Sequence, residues 1–367
     1  MRATAYFLSA VLTGAFFGAP ALLRPAQGAG HPVVIDVGGD VLPESSWQDP
    51  VEVDHLFDGM KVEFDRADLV FVNLEEPITT SNSVTPYKNP AAVGAGLDFV
   101  LRARNPHIAE ALRDSGIGLV GLANNHMMDY TGAGLADTLA GLQSAGLPAV
   151  GAGLEPDAER AYIFEKDGVK VALLAFSDVV PTNYEATPTL AGVASSQDNA
   201  RLVNAVLEAR KEADSVVLMI HWGGQGDHRI IPRQRELARV AAEAGCDAIV
   251  GMHPHVLQGI EYFGRVPVFY SIGNFAFPSS NSAKRECILV RLIFRPKRLA
   301  RVELVPVEIS PSGAPSVARG GEASLICSHL DRVCQPFNTA IQRGKLVKAP
   351  PRKALVYCEA KRASGHS

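Results

Sequence analysis

None of the five cysteines in this 367-residue chain forms a Cys-x-x-Cys pair, so a thiolate zinc site has no support. A marked excess of either charge sign is lacking as well, with 35 Lys and Arg against 39 Asp and Glu. A net charge of −4 gives no overall electrostatic case for nucleic acid as a partner. The chain also has no Walker loop, no Rossmann fingerprint and no Ser-His-Asp arrangement, and Gly151-Ala152-Gly153 is too short to cradle a phosphate. No internal repeat is present. What remains is 47% hydrophobic residues, enough to bury the core of one large domain, with or without an appendage.

Long apolar runs are confined to the start. Residues 1–30 read as an export signal: Met1-Arg2, an apolar run to about Ala19, then Pro20 and a small-residue stretch ending near Gly30. An uncleaved N-terminal anchor is the alternative, because the apolar run nearly continues to Leu23. The segment contains no cysteine, which excludes a lipoprotein anchor. The expected location is periplasmic or extracellular, with membrane contact only through this segment. Cys246 and Cys287 lie in apolar stretches and are expected to be buried thiols. In an oxidising compartment two of Cys327, Cys334 and Cys358 can pair, and Cys327 with Cys334 is the expected bridge. Basic residues gather at 285–301 and 345–362, where a solvated strand edge and a flexible tail are expected.

The middle of the chain alternates strand and helix signals, which implies an α/β fold. Apolar strands are expected at 31–37, 69–72, 118–122, 148–150, 215–220, 248–251, 266–272, 288–294 and 300–307. Residues 162–166 and 169–176 flank Asp167-Gly168, a hairpin signal. Helices are expected at 53–68, 106–115, 131–145, 197–213 and 233–245. Two polar segments, 79–96 and 179–196, read as long surface loops, the first as a cover for a site. Residues 31–310 form the expected main domain, and 311–367 an irregular, basic extension.

The strand ends carry the chemistry. The first delivers Gly38-Gly39-Asp40, with glycines that let the backbone turn and bring Asp40 into a cleft. The second delivers Asn73-Leu74-Glu75, a costly place for a carboxylate unless it is paired or binds a cation. Asn124-Asn125-His126 follow the third, with Asp129 three residues on, placed to orient the imidazole if a helix opens there. His221 ends an apolar strand, and His253-Pro254-His255 follow another. Pro254 pushes His253 toward extended backbone, which would point both imidazoles to one side. In open α/β sheets functional groups collect beyond the carboxyl ends of strands. Two carboxylates, an amide and three imidazoles suffice for two divalent ions (Mn, Fe, Zn or similar) that share a bridging carboxylate. His126 is then free to protonate a leaving group.

The ordered segments GGDVL, FVNLEEPIT, GLANNHMMDYTGAGLADTL, HWGGQ, DAIVGMHPHVLQGIE and FYSIGNFAF resemble the bacterial poly-γ-glutamate capsule-synthesis CapA family, over roughly residues 33–277. That family is similar to the calcineurin-type metallophosphoesterases. The resemblance implies a layered αββα sandwich with metal ligands at the strand C-terminal ends. It implies Asp40 as the first-strand ligand, Glu75 as the bridging carboxylate, and Asn125, His221, His253 and His255 as the remaining ligands. His126 with Asp129 would be the catalytic pair, and Asn73, Asn124, Asn274 and Gln225 would support the site. Phosphoester-like substrates or an anionic polymer, and capsule-synthesis membrane subunits, are the implied partners. Two departures stand out: Gly-Gly-Asp replaces the usual Asp-x-His, with Asp36 an outside candidate for the vacant ligand, and Gln225 stands where relatives often have an acid.

Overall fold

The computed structural model describes residues 31–44, 52–96, 98–337, 339, 342–343 and 356–358. The expected export signal lies outside the described residues, as does most of the basic stretch 345–362. Among the described residues no helix is long and apolar enough to cross a membrane.

Two large sheets carry most of the strands, and a small two-stranded sheet pairs Ala152–Gly153 with Gly192–Val193. Strand β1 (Val33–Val41) sits in the first sheet between β2 (Leu69–Leu74), parallel to it, and an antiparallel strand, Glu286–Arg295. Beyond β2 come β3 (Leu119–Gly121) and β4 (Ala149–Val150), both parallel. The second sheet holds β5 (Tyr162–Lys166), β6 (Val169–Ser177), β7 (Ser215–His221), β8 (Ala248–Met252) and the pair Ile260–Phe263 and Val266–Phe269. The β5–β6 hairpin turns at Asp167-Gly168 with φ +52° and +75°, the left-handed values a two-residue turn requires.

Alternation along each strand shows how the sheets stack. Val33, Ile35 and Val37 of β1, with Leu69 and Phe71 of β2, point inward to one core shared with β6, β7 and β8. Val70, Val72 and Leu74 point outward to a second core under the helices Ile108–Asp114 and Thr131–Ala145. Helices Asn199–Glu212 and Pro232–Ala244 cover the other sheet through Leu202, Val206, Leu237 and Ala241. This is the layered αββα arrangement. The inner strands β7 and β8 are buried throughout, which accounts for their unbroken apolar runs.

Several expectations are corrected. Strand β1 does not end at the glycines but runs through them to Val41. They are needed for close approach: a Cβ on Gly39 would lie 2.0 Å from the Gly273 carbonyl oxygen, and one on Gly38 2.9 Å from the Phe275 ring. Residues 53–68 form two 3₁₀ turns and the short helix Lys61–Phe64 instead of one helix. The break falls where Gly59 passes under Pro315-Ser316, too close for any side chain. Segment 266–272 is split: after Phe269 the chain leaves the second sheet, and Asn274–Ala276 pairs with β1 in the first, opposite Asp40. The described part of the extension after Ser310 is not irregular, for helix Gly320–Cys334 packs Ile326, Cys327 and Leu330 into the inner core. Cys334 is a free buried thiol that accepts the Ile260 N–H at 3.2 Å, while Cys327 is disulfide-bonded, so the two are not partners. Cys246 and Cys287 are buried free thiols.

Candidate metal centre

Both sheets contribute to one cluster. From the first come Asp40 in β1 and Glu75 just past β2; from the second come His221 at the end of β7 and His253 and His255 just past β8. Asn125 enters from the turn after β3. Burying so many polar side chains is unfavourable unless something satisfies them. Most are satisfied: Asp40 accepts the Asn73 amide at 2.8 Å and the His253 N–H at 3.2 Å. Asn73 in turn accepts from Asn124 at 3.1 Å, and Asn124 also accepts the backbone N–H groups of His126 and Met127.

Glu75 is the exception. Both of its carboxylate oxygens are buried with no hydrogen-bond partner among the described residues, and His221 Nδ1 is likewise unpartnered. Glu75 Oε1 stands 3.7 Å from His221 Nε2 and 3.7 Å from His255 Nε2. His221 Nε2 lies 2.8 Å from Asn125 Oδ1 and 2.9 Å from His253 Nδ1, while His255 Nδ1 lies 3.4 Å from Asp40 Oδ2. Ligand atoms of Glu75, His221 and His253 fall within 4.8 Å of one another, and so do those of Asp40, Glu75 and His255. Two groups able to hold a cation therefore share one carboxylate. The donors, carboxylate oxygen and imidazole nitrogen, suit divalent first-row metals. The residues present fit the ions that the family resemblance implies.

The electrostatics agree. Burial, reinforced by the neighbouring Asp40 carboxylate, pushes the Glu75 carboxyl well above its ordinary range. Burial, then the adjacent imidazoles, hold His221 and His253 well below theirs, in the neutral form that binds metal. A cation would reverse the Glu75 shift and leave the imidazoles unprotonated.

His253 and His255 reach the cluster in a way the sequence did not suggest. Neither is extended: φ is +93° at His253 and +57° at His255, both left-handed. Such backbone is unfavourable for a residue with a Cβ and is kept where the surroundings enforce it. Its effect is to aim the rings at different partners, His253 at His221 and His255 at Asp40. Asp36 is not a ligand. It lies deeper along β1 and pairs with Arg291 at 2.7 and 2.8 Å, beside Glu63, because side chains four residues along a bulged strand do not converge. Asn274, paired beside Asp40, has Oδ1 2.8 Å from His255 Nδ1, and its amide donates to the Lys284 carbonyl.

His126 and Asp129 sit beside the cluster, on turns that precede the helix Thr131–Ala145 rather than within it. His126 Nδ1 lies 2.8 Å from Asp129 Oδ2, and burial lowers the affinity of this imidazole for a proton. Both long loops close on Asp129. Thr85 donates its N–H to the Asp129 carbonyl, and Tyr184 its hydroxyl to Oδ1 at 2.9 Å. Lys88, which sequence reasoning missed, reaches in from the first loop: Nζ lies 2.7 Å from Asp129 Oδ1 and 3.0 Å from His126 Nδ1. A lone lysine in a polar loop carries no periodic signal that would have marked it. A cavity of about 460 Å³ opens onto the cluster, bordered by Glu75, His126, His255, Gln225, Phe277 and Lys284.

Residues 34–279 match the family described as bacterial capsule synthesis protein PGA_cap. The chain is 35% identical over 258 residues to the PGA biosynthesis protein CapA of Bacillus subtilis (strain 168), covering 70% of this chain and 65% of that one. It is 32% identical over 266 residues to the capsule biosynthesis protein CapA of Bacillus anthracis, covering 71% and 63%. The chain thus spans a little under two thirds of the length of these relatives. Among solved structures, it is similar to Haemophilus influenzae NAD nucleotidase (NadN) at a TM-score of 0.42 and 12% identity, over 82% of this chain and 56% of that one. A 5'-nucleotidase from Candida albicans SC5314 gives 0.41 and 10%, over 85% and 56%. With its family motifs gathered into one buried cluster, the chain belongs to the bacterial capsule synthesis protein PGA_cap family.

Proposed function

We propose that this protein is a metal-dependent hydrolase of phosphoester-like substrates that serves poly-γ-glutamate capsule synthesis or export in the cell envelope. The observation that carries the reading is Glu75, a fully buried carboxylate with two unpartnered oxygens shared by two ligand groups. Two divalent ions held there by Asp40, Glu75, Asn125, His221, His253 and His255 would supply charge stabilisation and an activated water. His126 borders the substrate cavity and is placed to give a proton to a leaving oxygen, with Asp129 and the loops fixing its ring. Lys284 and Gln225, on the same cavity, suit an anionic substrate. The envelope location follows from the export-signal pattern of residues 1–30.

A second reading, an assembly or polymer-binding factor with a structural or vestigial metal site, draws on the relatives, which are named for capsule biosynthesis and not for hydrolysis. Capsule-synthesis membrane subunits or the anionic polymer itself would then be its partners. Metal analysis of the purified protein, coupled to a panel of phosphomonoesters and phosphodiesters, separates the two. Bound or loadable metal with turnover supports the hydrolase; metal without turnover across the panel supports the assembly factor. Protein that neither holds nor takes up divalent metal overturns the hydrolase and leaves the assembly factor with a vestigial site.

A further inference from the structure

A further pair of imidazoles meets outside the cluster. His228 lies in the loop after β7 and His329 within helix Gly320–Cys334, with ring centroids 4.9 Å apart and planes tilted by 57°. Both side chains are half-buried, and each ring is held through its Nδ1. His228 Nδ1 donates to the Leu257 carbonyl at 2.9 Å, and His329 Nδ1 to the Glu286 carboxylate at 2.5 Å. A carbonyl and a carboxylate only accept, so both Nδ1 atoms carry hydrogen and each neutral ring keeps its lone pair on Nε2. Neither Nε2 has a hydrogen-bond partner among the described residues.

The backbone around His228 is fixed as well. Gln258, fully buried, donates its amide to the Asp227 and Arg229 carbonyls at 2.7 and 3.0 Å, one on each side of His228, and accepts from Gln234 at 2.9 Å. A ring whose far nitrogen is bonded to a carbonyl or carboxylate is oriented in the manner of metal-binding histidines. Two imidazoles that bind one ion through nitrogen at about 2.0–2.1 Å, at ligand angles of roughly 90–110°, have ring centroids about 4.5–5.2 Å apart. The 4.9 Å observed falls in that range. It also falls between the 4.6 Å of His221 and His253 and the 5.8 Å of His253 and His255 in the main cluster.

We infer that His228 and His329 form a separate cation site for a late first-row divalent ion, of which Zn²⁺ is the probe. The two Nε2 atoms are its protein ligands. Water completes the shell, because no third His, Cys, Asp or Glu ligand atom among the described residues groups with both rings. With two protein donors and no direct carboxylate, the site binds more weakly than the main centre and fills after it. Its ion joins helix Gly320–Cys334 to the loop following β7, the loop that brings Gln225 to the cavity. The site does not depend on the hydrolase reading.

Full-length protein titrated with Zn²⁺ past saturation of the main centre, with bound metal counted by mass spectrometry, tests the site. Wild type should hold one ion more than His228→Gln and one more than His329→Gln, and the double variant should lose no more than either single one. The difference is read and not the total, so the result stands whatever the main centre takes up. Equal counts in wild type and both variants overturn the inference, whether no further ion binds or an adventitious one binds elsewhere. In ¹⁵N-histidine-labelled wild type, the last step of the same titration should move the Nε2 resonances of two rings together while their Nδ1 atoms stay protonated. A last step that moves no ring, or one ring only, sinks the site, so a variant that fails to fold gives no shelter.

Discussion

If Glu75 is shared between two cation sites, metal-linked stability should divide in a particular way when ligands are removed one at a time. A cation that binds only the folded state stabilises it by about 2.7 kcal/mol when its concentration is 100 times its dissociation constant. Two independent sites then give about 5.4 kcal/mol. With an unfolding entropy of about 2.1 cal/mol/K per residue over the roughly 300 described residues, 1 kcal/mol moves the midpoint by about 1.6 °C. Adding Mn²⁺ or Zn²⁺ to metal-free protein should therefore raise Tm by about 8–9 °C. His255→Ala removes a ligand from the Asp40 side only and His221→Ala from the His253 side only, so each should keep about half of the gain. Glu75→Gln should lose nearly all of it. The same substitution should leave the metal-free protein at least as stable as wild type, because a buried carboxylate beside Asp40 is unfavourable without a cation. Scanning calorimetry across a metal titration, with bound metal counted by mass spectrometry, measures each quantity. A Glu75→Gln protein that keeps the full gain, or single histidine variants that each lose all of it, would refute the shared-ligand geometry.

His221→Ala combined with His253→Ala should bring bound metal on the His253 side to zero while the Asp40 side stays loadable, read by the same mass analysis. His126→Ala should keep its metal and lose about 100-fold or more in turnover of any phosphoester the wild type cleaves; equal turnover would remove His126 from the chemistry. Arg291→Leu leaves the buried Asp36 carboxyl without its guanidinium while Glu63 keeps Arg66, and urea unfolding at pH 7 should show a loss of about 3–5 kcal/mol. Burial already raises Asp36 to about 6, so its folded carboxyl holds a proton below that pH. The loss should accordingly shrink toward pH 5, where the folded group is neutral, and grow above pH 6, where ionising it opposes folding. Gly251→Ala would place a Cβ 2.3 Å from both the Trp222 indole nitrogen and the Tyr270 carbonyl, and should cost at least about 1–3 kcal/mol by thermal unfolding.

What was legible in the sequence was local. Apolar runs that stop at Asn125, His221 or His253 mark buried strands delivering polar ends, and their common destination followed from that pattern. What was not legible was pairing. The apolar stretch 266–272 reads as one strand because nothing in it says that Gly273, at φ +79°, follows a change of sheet and that Asn274 then lies beside Asp40. Asp36 and Asp40 look alike as letters; only the register with Arg291 shows which one is neutralised by an arginine. Lys88 was hidden for the same reason, since its three partners are 10 or more residues away in the chain. Helix Gly320–Cys334 was missed because it begins on two glycines and spreads its apolar residues thinly.

The left-handed backbone at His253 and His255 bears on how ligand removal should be interpreted. Alanine keeps the Cβ that makes these dihedrals unfavourable while discarding the imidazole that holds them. An alanine variant at either position thus probes two quantities together, a lost ligand and a turn freed to relax, and the relaxation will carry the neighbouring ring with it. Glycine, indifferent to the sign of φ, isolates the first. The difference between the glycine and alanine variants at the same position measures how much conformational energy the metal centre holds in its own loop.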